Sequence, residues 1–335
     1  MCNIGKVAIF GTKEAAKIAR NWAKINDIEV VCFVDDFTRG SLDGIPILLW
    51  REFLTIQDEV DALIAGANQL GLLETRDELH IPFLKIPYIY YKIDHIKELF
   101  LSLKNSRYKK GSVELFSNRF RYVDELTFKY MLKEIFIDET YRFKPKNQEC
   151  IIYDIGANIG VSTLYFAKQY PNAKIKAYEA DKDIFEVLKE NMSFYKNVEV
   201  FNKAAWIRKE TLKFNQEGSD CGAICNEGDA TVEGIRLFDI LRDEKEIDLL
   251  KMDIEGAENR VFFDIVDILE IVENLIIEFH YKKIEEENLS EVLSSLQTKG
   301  FVYYLETINK RKSPLYEDSN NDFFFQVNIY AKKIS

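Results

Sequence analysis

The chain has 335 residues, 47% of them hydrophobic and few of them Gly or Pro, which is enough for two folded domains. Its formal net charge of −11 argues against nucleic acid as a partner, because phosphates call for a positive surface. No apolar run approaches the ~20 residues that span a bilayer, which argues against stable membrane insertion.

The opening Met1-Cys2-Asn3-Ile4-Gly5-Lys6 lacks a signal-peptide pattern, so a cytoplasmic location is the expectation. Residues 7–10 read as a short buried strand, followed by Gly11-Thr12 and a helical pattern over 13–24. A β-branched run at 28–34 ends at Asp35-Asp36, and turns follow through Gly40, Gly44 and Pro46. Further strands are expected at 60–65 and 83–91. Together these predict a small Rossmann-like α/β domain over residues 1–91. Residues 92–148 carry Leu, Phe, Lys and Glu at helical spacing and read as a helical connector. Their basic run, 104–110, is short and reads as a solvated helix end or loop.

A regular alternation begins at Cys150 and defines a third segment, 149–335. Strands are expected at 151–155, 174–179, 198–202, 247–253 and 272–280, with helices at 161–169, 183–195, from 257, and at 289–299. Residues 211–215 suggest a hairpin within an insertion at 204–235. The last strands, 301–305 and 323–331, have no helix between them and should pair antiparallel. The pattern is that of a doubly wound α/β sheet. The five cysteines, Cys2, Cys32, Cys150, Cys221 and Cys225, are scattered and suggest neither a disulfide framework nor a zinc site.

Two segments carry chemistry. Asp154-Ile155-Gly156-Ala157-Asn158-Ile159-Gly160 closes a buried strand and opens a helix, the place where α/β sheets bind nucleotide-like ligands. Gly156 allows a tight turn, Gly160 close helix packing, and Asn158 a cap or ligand contact. The dinucleotide pattern G-x-G-x-x-G is absent, and a carboxylate at Asp154 disfavours a pyrophosphate while suiting the ammonium and sulfonium of S-adenosylmethionine. Glu179 ends the next strand, where an acid commonly accepts from ribose hydroxyls. Asn202 ends the third strand and completes the expected cofactor set.

The second segment, residues 249–258, delivers Asp253 and Glu255 to a strand end, and Glu278-Phe279-His280 ends another. An imidazole or carboxylate there could take a proton from a substrate hydroxyl. Asp253, Glu255 and His280 could equally hold a divalent cation, or the two acids could merely cap the next helix. Rival readings are a non-catalytic S-adenosylmethionine- or nucleotide-binding scaffold, and a nicotinamide oxidoreductase that uses the N-terminal domain.

The segment 154–160, the run Leu-Leu-Lys-Met-Asp-Ile-Glu-Gly-Ala-Glu and the Glu278-Phe-His280 strand end resemble the FkbM family of methyltransferases, over about residues 138–332. The resemblance implies a class I methyltransferase fold with a seven-stranded doubly wound sheet. It also implies O-methylation, typically of a sugar hydroxyl or another secondary-metabolite or polysaccharide hydroxyl; the expected acceptor is a hydroxyl of a sugar, a sugar nucleotide or a surface polysaccharide, and the oligomeric state, a homo-oligomer included, is left open. Ala180-Asp181 stands where the family often has a proline after the acid. Residues 7–12, Phe33-Val34-Asp35-Asp36 and Gly44-Ile45-Pro46 look like the small Rossmann-like domain of bacterial sugar-modifying enzymes, including the N-terminal part of some sugar-nucleotide acetyltransferases. That domain could bind a nucleotide or nucleotide sugar, or serve structure and dimerisation.

Overall fold

The computed structural model describes residues 4–65, 78–85, 93–147, 149–215, 223–224, 230–282, 289–308 and 323–334. The chain divides into two compact units, Met1–His95 and Ile96–Ser335.

In the first unit, β1 (Lys6–Phe10) leads into α1 (Glu14–Ile25), then β2 (Glu29–Asp35), β3 (Gly40–Leu42) and β4 (Ile45–Leu49). After α2 (Trp50–Leu54) come β5 (Ala62–Ala65) and β6 (Phe83–Lys85). The sheet order is β3-β4-β2-β1-β5-β6, parallel except for the β3–β4 hairpin. The reason is visible in the strands: Val7 to Phe10 and Ala62 to Ala65 are buried on both faces, as parallel strands covered by helices must be. Helix α1 turns Ala16, Ala19, Trp22 and Ala23 inward at helical spacing and leaves Lys17 and Lys24 exposed. The expected strand at 83–91 is seen as Phe83–Lys85, and the rest of it lies outside the described residues.

The connector differs from the expectation of a helical segment. It opens with α3 (Ile93–Ser102), but an antiparallel hairpin follows, β7 (Gly111–Leu115) with β8 (Asn118–Tyr122). Helix α4 (Glu125–Met131) comes next, capped by the Asp124 side chain on Thr127 N–H, and runs into a π-helical turn over Leu132–Ile137. The hairpin forms because Phe120 and Tyr122 stack on Phe128, which buries their faces. From Ile96 onward this segment clusters with the second unit.

The second unit is built on β9 (Ile151–Ile155), α5 (Val161–Gln169), β10 (Lys174–Glu179), α6 (Lys182–Met192) and β11 (Val198–Asn202). Strands β12 (Ala204–Trp206), β13 (Glu210–Asn215), β14 (Ala223–Ile224) and β15 (Ala230–Arg236) make a separate four-stranded sheet. The main sheet resumes after α7 (Leu237–Leu241) with β16 (Leu249–Met252), α8 (Glu258–Ile265), β17 (Asn274–Lys282), α9 (Leu289–Thr298), β18 (Phe301–Thr307) and β19 (Phe323–Lys333). Its order is β11-β10-β9-β16-β17-β19-β18, seven strands with only β19 antiparallel to its neighbours. This is the expected doubly wound sheet, closed by the expected antiparallel pair. The strand order reverses between β10 and β16 on either side of β9, so the carboxyl ends of β9, β10, β16 and β17 open onto one crevice. Among the described residues, no helix is long and apolar enough to cross a membrane.

Candidate active site

The turn after β9 is fixed by its backbone. Gly156 has φ +77°, and a Cβ there would stand 1.7 Å from the Asp253 carbonyl oxygen, so only glycine fits. The amides of Gly156 and Ala157 both donate to the Tyr178 carbonyl, which ties the turn to the end of β10. Gly160, at φ +91°, opens α5, and a Cβ on it would press into Leu188. Asn158 is itself left-handed at φ +50° and accepts from Ile159 N–H through its own Oδ1. Its backbone N–H donates to Glu179 Oε2 at 2.9 Å.

Glu179 is thus joined to the turn. Its Oε1 accepts from Asp181 N–H at 2.8 Å, and burial pushes its carboxyl up to about 7 against the pull of those two amides. Asn202 anchors the same corner, with Nδ2 donating to the carbonyls of Glu179 and Ala180. Asp154 lies deeper than the sequence suggests. It is fully buried, with Oδ2 accepting from Ser162 Oγ at 2.7 Å and Thr163 Oγ1 at 2.6 Å. Its Oδ1 faces Lys251 Nζ at 3.5 Å. Asp154 therefore holds the turn from beneath rather than offering its carboxylate to a ligand.

Lys251 was quoted in the sequence motif without a role, and the structure gives it one. Its buried ammonium sits between Asp154 and Asp253, 3.4 Å from the latter, and donates to the Gly156 carbonyl at 2.6 Å. Despite burial, these acids hold its pKa well above the usual lysine range. A lone lysine inside a strand of Leu and Met was the available signal.

The turn after β16 contains consecutive left-handed residues, Glu255 at φ +55° and Gly256 at φ +97°. A glutamate in that conformation is strained and persists because its surroundings fix it. The fixing group is Glu258, buried at the start of α8. Its carboxylate accepts from Ile254 N–H and Gly256 N–H and meets His280 Nδ1 at 3.0 Å. The other ring nitrogen of His280, Nε2, lies 3.4 Å from Glu255 Oε2 and 3.6 Å from Glu278 Oε1. Asp253, Glu278 and His280 bring one ligand atom each within 4.8 Å of one another.

Sequence reasoning placed Asp253, Glu255 and His280 together, and the structure does so. It does not support His280 as the proton acceptor. Its carboxylate neighbours, Glu258 above all, outweigh burial and raise the imidazole to about 10, so the ring is protonated at neutral pH. An imidazolium has no lone pair for a substrate proton. Glu258, Glu278 and Glu134 join the site as groups without an assigned role in the motifs. Glu134 comes from the π-helical turn; burial first, then the charges of Asp253 and Glu306, raise its carboxyl. Glu278 is raised for the same reasons, by burial and then Asp253. Cys221 and Cys225 lie outside the described residues.

Residues 154–303 match the family described as Methyltransferase FkbM domain. The chain is similar to Methyltransferase 1 of Beauveria bassiana (strain ARSEF 2860), 26% identical over 213 residues that cover 54% of this chain and 84% of that protein. It is also similar to Methyltransferase sdnD of Sordaria araneosa, 26% identical over 204 residues that cover 47% of this chain and 76% of that protein. Among solved structures, a SAM-dependent methyltransferase from Agrobacterium tumefaciens overlaps with a TM-score of 0.41 at 10% identity, covering 67% of this chain and 70% of that one.

Proposed function

We propose that this chain, whose residues 154–303 match the FkbM methyltransferase domain, is an S-adenosylmethionine-dependent methyltransferase that methylates a hydroxyl oxygen of a sugar, a sugar nucleotide or a surface polysaccharide. The observation that carries this reading is the cluster of acids at the ends of β16 and β17, beside the turn that follows β9. A hydroxyl is a poor nucleophile until its proton is drawn away, and a carboxylate at that edge can take it.

The residues present suit the cofactor. Glu179 offers a carboxylate at the end of β10, where ribose hydroxyls are accepted. Gly156 and Asn158, both at positive φ, hold the turn tight against the ends of β10 and β16. The acids at Asp253 and Glu255 suit a cationic sulfonium and would repel a diphosphate. When bound, S-adenosylmethionine supplies an electrophilic methyl group, to which the acceptor oxygen bonds as the carbon–sulfur electron pair returns to sulfur. Asp253 is the group best placed to receive the hydroxyl proton, because it stands at the end of β16 with the Lys251 ammonium 3.4 Å away. Glu258 holds His280 and the strained turn in place, so that Glu255 stays at the mouth of the site. A divalent cation at the same strand ends is compatible with this chemistry. The acidic chain, at −11, fits an acceptor other than nucleic acid, in the cytoplasm, with homo-oligomerisation open to the first unit.

The test has two parts. Calorimetry should show S-adenosylmethionine binding to the purified protein. Mass spectrometry of glycans from cells with and without the gene should then show a methyl group that is lost. Absence of cofactor binding would sink the proposal, and an unchanged glycan profile would remove the acceptor class.

A further inference from the structure

Glu278 and Asn328 stand opposite one another in the antiparallel β17–β19 register, so their side chains share one face of the sheet. Asn328 is 2% exposed. Its Nδ2 donates to Glu134 Oε1 at 3.5 Å and to Tyr330 Oη at 3.2 Å, whereas its Oδ1 has no hydrogen-bond partner among the described residues. A buried amide oxygen without a donor is costly; Glu134 offers no donor when ionised, and the Tyr330 hydroxyl donates to Glu306 instead. The same face therefore gathers an unsatisfied hard oxygen and the carboxyl groups of Asp253, Glu278 and Glu134. A cation answers both.

The histidine is arranged for one. Its Nδ1 is held by a buried carboxylate, Glu258, which fixes the ring and turns Nε2 toward Glu278. A carboxylate behind an imidazole, with the far nitrogen facing other acids, is the outer support that metal-ligating histidines use. Ligand atoms within 4.8 Å of one another need to close only slightly around an ion with bonds of about 2.2 Å. Two carboxylates and one imidazole suit Mn2+ or Mg2+ better than the thiolate-seeking metals.

We propose that Asp253, Glu278 and His280 Nε2 form a binding site for one divalent cation of the Mn2+/Mg2+ class, the ion displacing the Nε2 proton to solvent as it binds, with Glu258 as its positioning residue and the Asn328 amide oxygen beside it. The cation neutralises the acidic cluster and gives an acceptor hydroxyl oxygen a fixed place next to Asp253. That role at the acceptor rests on the methyl-transfer reading; occupancy of the site does not, and occupancy is what the experiment reads.

Mn2+ is titrated into the full-length protein and free ion is followed by electron paramagnetic resonance, with S-adenosylmethionine binding measured calorimetrically on the same preparations. One Mn2+ per chain is expected. Glu278→Gln should weaken Mn2+ at least tenfold, and Glu258→Gln about 10- to 100-fold although it touches no metal. In metal-free buffer both variants should keep the wild-type far-ultraviolet circular dichroism spectrum, which certifies their fold. If either variant does not fold, the wild-type spin-echo spectrum decides: nitrogen coupling from one imidazole supports the site, and its absence overturns it. A wild-type protein that binds cofactor but no Mn2+ overturns the metal site and leaves methyl transfer standing. Mn2+ uptake without cofactor binding does the reverse.

Discussion

Glu179 gives the most quantitative handle on the cofactor site. Burial raises its carboxyl from 4.5 to about 7, so near neutral pH it stands half-protonated in the ligand-free protein. That shift corresponds to ~3 kcal/mol against the charged form, at about 1.4 kcal/mol for each tenfold change. In the proposed site, ribose hydroxyls donate to the ionised carboxylate. Cofactor affinity should then fall as pH drops through 7, by about tenfold between pH 8 and pH 6. Calorimetry across that window, on wild type and Glu179→Gln in parallel, is the assay. The variant should bind more weakly at pH 8 and lose this slope, keeping only what the ligand's own amino group contributes. The folding equilibrium gives an independent reading. Unfolded Glu179 ionises near 4.5 while the folded group keeps its proton to about 7, so stability falls as pH rises between those values. Glu179→Gln should flatten that fall in urea melts. Parallel binding curves for wild type and variant, with no difference in pH slope, would refute the assignment.

Replacing the buried Lys251 with Met leaves Asp154 and Asp253 without their shared cation, and should cost about 3–5 kcal/mol in urea denaturation. Gly156→Ala drives a methyl into the Asp253 carbonyl, so cofactor binding should be lost. Gly300→Ala, also at positive φ but with open space around it, should cost no more than ~1–2 kcal/mol and keep binding. Equal effects of the two glycine changes would show that backbone strain, not the contact with Asp253, decides. Asn191 bonds the backbone of Arg121 on β8 through both side-chain atoms and the Ile159 carbonyl through Nδ2, so Asn191→Ala should cost about 1–3 kcal/mol and loosen the cofactor turn, read as weaker cofactor binding.

The sheet was legible because its strands are continuous apolar runs, each followed by a turn residue and a helical pattern. The glycine turn, Glu179, Asp253, Glu255 and His280 were legible for a related reason: residues at the carboxyl ends of parallel strands share one edge whatever their side-chain partners are. What escaped reading depends on contacts distant in sequence. Asp154 looked like a ligand group, but Ser162, Thr163 and Lys251 enclose it. Lys251, Glu258 and Glu134 have roles defined by partners on other elements, and no spacing rule reports those. The β7–β8 hairpin escaped because its turn residues are Phe116 and Ser117, both left-handed at φ +52° and +67°, where Asn-Gly or Asp-Gly would have announced the reversal.

The π-helical turn at Leu132–Ile137 is one residue of surplus length. A π turn is an α-helix with one residue inserted, and each residue advances a helix by about 100°. Deleting Lys133 would let α4 continue in α register and swing Glu134 away from Asn328 and the acids of β16 and β17. The electrostatics of the site are thus set in part by chain length, through the winding of a helix outside the main sheet. A neighbouring sequence could gain or lose this carboxylate through a single-residue insertion or deletion, with every glutamate still in place.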